Sequence, residues 1–172
     1  KLLEENAAGE RKSSGKLSAS IIGWPLQWQI LKAKGYPQPP KEEYVLRKFL
    51  RGRQIEEWVV GEIPGTGEKQ KFAEYRGAIG YIDALADTQN WEFKNGIIPL
   101  EVKSTTNLKF KRILKEGADR SHKLQACFYA LAEETDKFAV VYVSTDDLRV
   151  QTYIYETADF KEEVDGIIAK FD

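Results

Sequence analysis

The segment Pro99-Leu-Glu-Val-Lys-Ser104 decides how this chain is read. It belongs to an apolar run, residues 96–104, that reads as a strand. Side chains alternate along a strand, so Glu101 and Lys103 project from one side, roughly 7 Å apart. A carboxylate and an ammonium on an otherwise apolar strand are costly to bury unless something compensates them. A metal ion and a phosphate would do so. Alone, a Glu-x-Lys pair reads as an exposed ion pair.

A second apolar segment changes that balance. Gly80-Tyr-Ile-Asp-Ala-Leu-Ala86 also reads as a strand and carries Asp83 at its centre. If the two strands lie side by side and antiparallel, Asp83 and Glu101 converge on one divalent ion. Phosphodiester hydrolysis needs a nucleophilic water, charge relief at the phosphate and help for the leaving oxygen, which one or two oxygen-ligated ions supply. Lys103 would orient the water or help deprotonate it, and offset phosphate charge.

Around this pair the chain alternates between helical and strand periods. Residues 1–17 are polar and contain Gly9, Ser13, Ser14 and Gly15; they read as a mobile leader, with 18–172 as a single domain. Ser18 or Ser20 caps an expected helix over 21–34, with Pro25 near its start. The segment Gly35-Tyr-Pro-Gln-Pro-Pro40 breaks the chain before a second helix over 41–60. Strands are expected over 69–75, 78–86 and 96–104, then a basic connection over 105–117. A third helix spans 120–134, a hairpin joins strands 138–144 and 148–155 through Thr145-Asp-Asp147, and a last helix covers 158–171. This order predicts an α/β domain with a central mixed sheet flanked by helices.

Composition narrows the chemistry. One cysteine, Cys127, excludes an intramolecular disulfide and any cysteine-built zinc or iron–sulfur site within one chain, and reads as a small buried residue on a helix. One histidine, His122, excludes zinc sites of two or three histidines, so any bound metal needs oxygen ligands, as Mg²⁺ or Mn²⁺ does. Ser121 and His122 are helix neighbours and cannot form a nucleophile–base pair. No apolar run is long enough to span a membrane. A net charge of −1 announces no nucleic-acid partner, although a local basic stripe suffices. Lys109, Lys111 and Arg112 follow the Glu101 strand closely enough to contact a nucleic-acid backbone. Trp24, Trp28 and Trp58 could stack on unpaired bases, but at helical spacing they read rather as core. Asp87 is either an outer group of the Asp83 face or the start of a turn.

Two further features flank the strands. Gly52-Arg-Gln-Ile-Glu56 sets a carboxylate four residues after a glycine, and Gln125-Ala-Cys-Phe-Tyr129 sets an amide and a phenol on one helix face. Taken alone, each reads as solvated surface. In order, Gly52…Glu56, Gly80…Asp83, Glu101-Val-Lys103 and Gln125…Tyr129 resemble the RecB-like branch of the PD-(D/E)XK nucleases, which includes lambda-type exonucleases and CRISPR-adaptation nucleases. The likeness runs from about residue 18 to 155.

The resemblance implies a restriction-endonuclease-like core and a metal-dependent deoxyribonuclease. Asp83 and Glu101 would bind metal, Lys103 would serve catalysis, and Gln125 and Tyr129 would line the substrate channel. Glu56 stands where many RecB-like members have histidine, which resembles the lambda-exonuclease variant and implies a third metal ligand. The implied cofactor is one or two Mg²⁺ or Mn²⁺ ions without an iron–sulfur cluster. The implied substrate is single-stranded DNA or duplex ends, in recombination, repair or end processing. A bacterial, archaeal or viral-host cytoplasm is expected, with a homo-oligomer or a recombination protein as the other implied partner. An exonuclease is the first expectation. A structure-specific endonuclease with the same site, or a nucleic-acid-binding module without activity, are the alternatives.

Overall fold

A computed structural model describes residues 14–37, 39–63, 66–89, 91 and 96–171. A 3₁₀ turn (Ala19–Ile21) leads into helix α1 (Leu26–Ala33) and the long helix α2 (Glu43–Glu62). Strands β1 (Thr66–Tyr75), β2 (Ala78–Asp87) and β3 (Ile97–Thr105) follow. Helices α3 (Asn107–Glu116) and α4 (Arg120–Ala132) then cross to β4 (Lys137–Ser144), β5 (Val150–Glu156) and α5 (Ala158–Phe171). The strands form one sheet in the order β1-β2-β3-β4-β5. Only β3 and β4 pair in parallel; the other neighbours are antiparallel, which makes the expected mixed sheet.

The sheet is covered on both faces. On one, α4 and α5 pack with Ile82, Val140, Tyr142 and Phe138. On the other, Ile55, Val59 and Val60 of α2 cover Ala84, Leu100, Val102 and Val141. Helix α4 is buried at every position from Leu124 to Ala130, so it is a core element rather than an amphipathic cover. Small residues permit this close packing. A side chain at Gly80 would place its Cβ 2.7 Å from both Ala19 Cβ and Tyr129 Cε1. Cys127 lies in this core as expected, and burial pushes its thiol up to about 12.

Five expectations are corrected. The first helix is split: Pro25, which cannot donate, stands just ahead of α1, and the residues before it form the short 3₁₀ turn. Ser18 makes no side-chain cap there; its hydroxyl meets Ser20 instead. Residues 107–116 are a helix, not a loop, because Thr106 caps its first turn, Phe110 and Ile113 bury one face, and Gly117 ends it at φ 83°. Trp24, Trp28 and Trp58 are 45%, 59% and 45% exposed, so none is core. Finally, Leu17, at the end of the expected leader, is buried, and its carbonyl accepts a hydrogen bond from Ile79 N. Residues 1–13 lie outside the described residues, as do Gln38 of the proline-rich break and Pro64 and Gly65 of the turn after α2. Among the described residues, no helix is long and apolar enough to cross a membrane.

Candidate active site

The β2–β3 ladder pairs Asp87 with Ile97 and runs to Ala84 opposite Leu100, where it stops. The same register puts Asp83 opposite Glu101, just where the two strands part and β3 turns to pairing with β4. A side chain takes over the lost ladder bond: Val102 N donates to Asp83 Oδ2 at 2.8 Å. The adjacency that the sequence reading required is therefore present, at the fork of the sheet.

The side-chain alternation of β2 slips here as well. Ile82 and Leu85 belong to the α4 side of the core, whereas Ala84 and Ala86 belong to the α2 side. Strand β1 is irregular opposite this point: its register with β2 shifts between Thr66 and Lys69, and Gln70 has φ 52°. A left-handed glutamine within a strand is a local distortion of the bulge kind. It turns the Gln70 amide toward Asp83, with Nε2 donating to Oδ1 at 3.3 Å.

Helix α2 brings the third carboxylate. A Cβ at Gly52 would lie 3.0 Å from Ser104 Oγ, so the bare backbone lets α2 approach the end of β3. Glu56, one turn further, is held by a backbone hydrogen bond from Ser104. Burial, then repulsion from Asp83, pushes its carboxyl up to about 7. Asp83 is raised by burial against the opposing pull of Lys103. Glu101 is wholly buried, and burial pushes it up to about 8, with Lys103 resisting. Burial pulls the Lys103 ammonium down, but Glu101, Asp83 and Glu56 more than compensate and hold it above the usual lysine range.

One lysine therefore serves three carboxylates. Lys103 Nζ forms an ion pair with Glu101 Oε1, yet neither Glu101 oxygen accepts a hydrogen bond of normal geometry. One ammonium shared by three carboxylates leaves the group short of positive charge, and the Glu101 oxygens short of hydrogen-bond donors. The donors are of the kind a hard divalent cation takes. Among the described residues, however, no three Asp, Glu, His or Cys side chains already stand close enough together to hold an ion.

Gln125 and Tyr129 of α4 come together as a pair. Gln125 Nε2 donates to Tyr129 Oη at 3.1 Å, and both residues are buried. Burial, then the charge of Glu101, raises the Tyr129 phenol well above its usual range, so it stays protonated. Of the basic residues after β3, Lys109 and Arg112 both clamp Asp119, each at 2.7 Å, while Lys111 is exposed on α3. Asp87 begins a turn, accepting from Gln89 N at 3.0 Å. His122 Nδ1 meets Tyr142 Oη at 2.7 Å and, as expected, is no partner for Ser121.

Three participants lie outside the motifs' own functional residues. Gln70 and Ser104 touch the carboxylates, and a groove of about 1010 Å³ opens onto Glu56 and Asp83 between α2 and β1. Only Ser104 was within sight of a motif; the groove depends on how two distant segments meet.

No protein-family model matches the chain, and no curated protein is detectably similar to it in sequence. Its fold does match solved structures. The crystal structure of an alkaline exonuclease, LHK-Exo, from Laribacter hongkongensis superposes with a TM-score of 0.59 at 14% identity, over 98% of this chain and 92% of that one. The same exonuclease in complex with dAMP gives 0.61 at 15% identity over the same shares. The protein SSO0001 gives 0.52 at 14% identity, over 99% of this chain and 85% of that one. At such identities the likeness is one of fold: this chain adopts the α/β architecture, with a central five-stranded mixed sheet between helices, that an alkaline exonuclease also uses.

Proposed function

We propose that the chain is a divalent-metal-dependent deoxyribonuclease of the RecB-like, lambda-exonuclease-like branch of the PD-(D/E)XK nucleases, degrading DNA from its ends in recombination, repair or end processing. The observation that carries this reading is the buried Glu101, without a hydrogen-bond donor of normal geometry, beside Lys103 and opposite Asp83 at the sheet fork. A purely structural carboxylate in that position would be expected to find donors. The fold shared with an alkaline exonuclease supports the same reading.

Asp83, Glu101 and Glu56 would hold one or two Mg²⁺ or Mn²⁺ ions, which supply a nucleophile at neutral pH and charge relief at the phosphate. Val102 N and Gln70 hold the Asp83 carboxylate from two sides. Lys103, kept charged by its three neighbours, donates toward the scissile phosphate and orients the attacking water. Gln125 fixes the Tyr129 phenol within electrostatic reach of Glu101, and the pair would help to position the substrate. Lys111 offers a phosphate contact from α3, with Lys109 and Arg112 shared with Asp119.

The test is degradation of end-labelled linear and closed-circular DNA in Mg²⁺, Mn²⁺ or EDTA, with Lys103→Ala alongside. Metal-dependent loss of linear DNA alone, abolished by the substitution, is the expected result. Cleavage of circles would make the enzyme an endonuclease. Absence of cleavage by a folded protein that still binds DNA would leave a binding module.

A further inference from the structure

The groove beside Glu56 and Asp83 carries its own chemistry. One stripe of α2, formed by Leu46, Phe49, Arg53, Glu56 and Val60 at spacings of three and four, lines it. The stripe runs from buried Val60, past the candidate metal ligand Glu56, to Phe49, which is 56% exposed. Phe49 and Glu56 are separated along the helix axis by about 10 Å, roughly three stacked nucleotides at 3.4 Å each. Lys41, Lys48 and Arg53 on this side and Lys69 on β1 line the same groove. None of the four has a salt-bridge partner among the described residues, in contrast to Lys109 and Arg112 on α3. The Lys41 ammonium lies over one face of the Phe49 ring, 5.5 Å from its centre.

This combination discriminates between forms of DNA. A duplex presents phosphates outward and keeps its bases stacked on one another, so an exposed phenyl ring offers it nothing. An unpaired strand presents both phosphates and free base faces, and cationic grooves with aromatic platforms bind it for that reason. We propose that the groove is the track for a single DNA strand, with Lys41, Lys48, Arg53 and Lys69 on its phosphates and a base stacked on Phe49, feeding the strand to Glu56 and Asp83. This rests on the nuclease reading above and adds the form of substrate and the residues that receive it.

The test separates the two. Binding of fluorescent oligo(dT) and of a duplex of equal length is measured by anisotropy in EDTA, where no cleavage is needed. The single strand is expected to bind more tightly than the duplex. Phe49→Ala should weaken single-strand binding about 5- to 150-fold, the loss of one stacked base, and Phe49→Trp should restore it. Lys48→Ala with Lys69→Ala should reduce the salt slope by roughly 0.7 for each phosphate no longer neutralised. Phe49 lies outside both core clusters, so its removal leaves the fold intact. Unchanged single-strand binding in Phe49→Ala, or equal affinity for duplex, would overturn the track. Failure of the nuclease reading would show separately, as absence of cleavage in Mg²⁺ or Mn²⁺ with this binding pattern intact.

Discussion

Replacing Glu101 with glutamine should make the metal-free protein more stable. The carboxyl is raised from 4.5 to about 8 because it is buried and faces Asp83 and Glu56. Below its unfolded value both states are protonated and the residue costs nothing. As pH rises the unfolded chain ionises while the folded one resists, so the cost grows until the pH passes the folded value and then levels off. At 1.36 kcal/mol per unit, the plateau is on the order of 5 kcal/mol. Glutamine reproduces the protonated form in shape and leaves Lys103 facing Asp83 and Glu56. The variant should therefore melt roughly 10 °C above the parent at pH 8, at 2–4 °C per kcal/mol for a domain of this size, and near the parent at pH 5. Thermal melts in EDTA across that range check it. A divalent ion should narrow the gap: saturating the parent a hundredfold above its Kd adds about 3 kcal/mol, which the variant forgoes together with its activity. An equal gap at pH 5 and pH 8, or a variant less stable at both, would refute the argument that Glu101 is held in the site at a cost to the fold.

Lys103→Ala should lower cleavage by about 10²–10⁴-fold while the protein remains folded by circular dichroism; a milder loss would assign the lysine to substrate binding. His122 should make the fold acid-sensitive: burial, then Lys103 and Lys109, pushes its imidazole from 6.5 down to about 4. The folded state thus refuses a proton that the unfolded chain accepts, and on the order of 3 kcal/mol is lost as pH falls between those values. Urea titrations of His122→Gln against the parent at pH 7 and pH 4.5 should show the parent losing more. Gly80→Ala should cost about 1–3 kcal/mol, because its methyl would overlap Ala19 and the Tyr129 ring; chemical denaturation measures it.

The sheet was legible because strand period and chemistry coincide: Asp83 and Glu101 interrupt runs that are otherwise apolar, and their facing positions follow from antiparallel pairing. Helix α3 escaped notice because four of its ten residues are basic, and that charge hid the Phe110–Ile113 stripe and the Thr106 and Gly117 signals. The fate of Lys109 and Arg112 could not be read locally, since their partner Asp119 lies beyond the turn at Gly117. Helical spacing also misplaced the tryptophans: α1 buries only Gln29 and Ala33, leaving Trp28 on the outer face. Gln70 gave no signal at all, because a left-handed conformation there is imposed by the β1–β2 register rather than by residue type.

The fork between β2 and β3 has one further consequence. At its apex the amide of Val102 is bonded to a carboxylate of the candidate site, Asp83 Oδ2, instead of to a neighbouring strand. Its hydrogen-exchange rate is therefore tied to what Asp83 is doing, while amides one residue pair away report only on the ladder. A single proton in the middle of the sheet becomes a meter for the site: protected while Asp83 faces inward, faster whenever a bound ion or a substitution draws that carboxylate away.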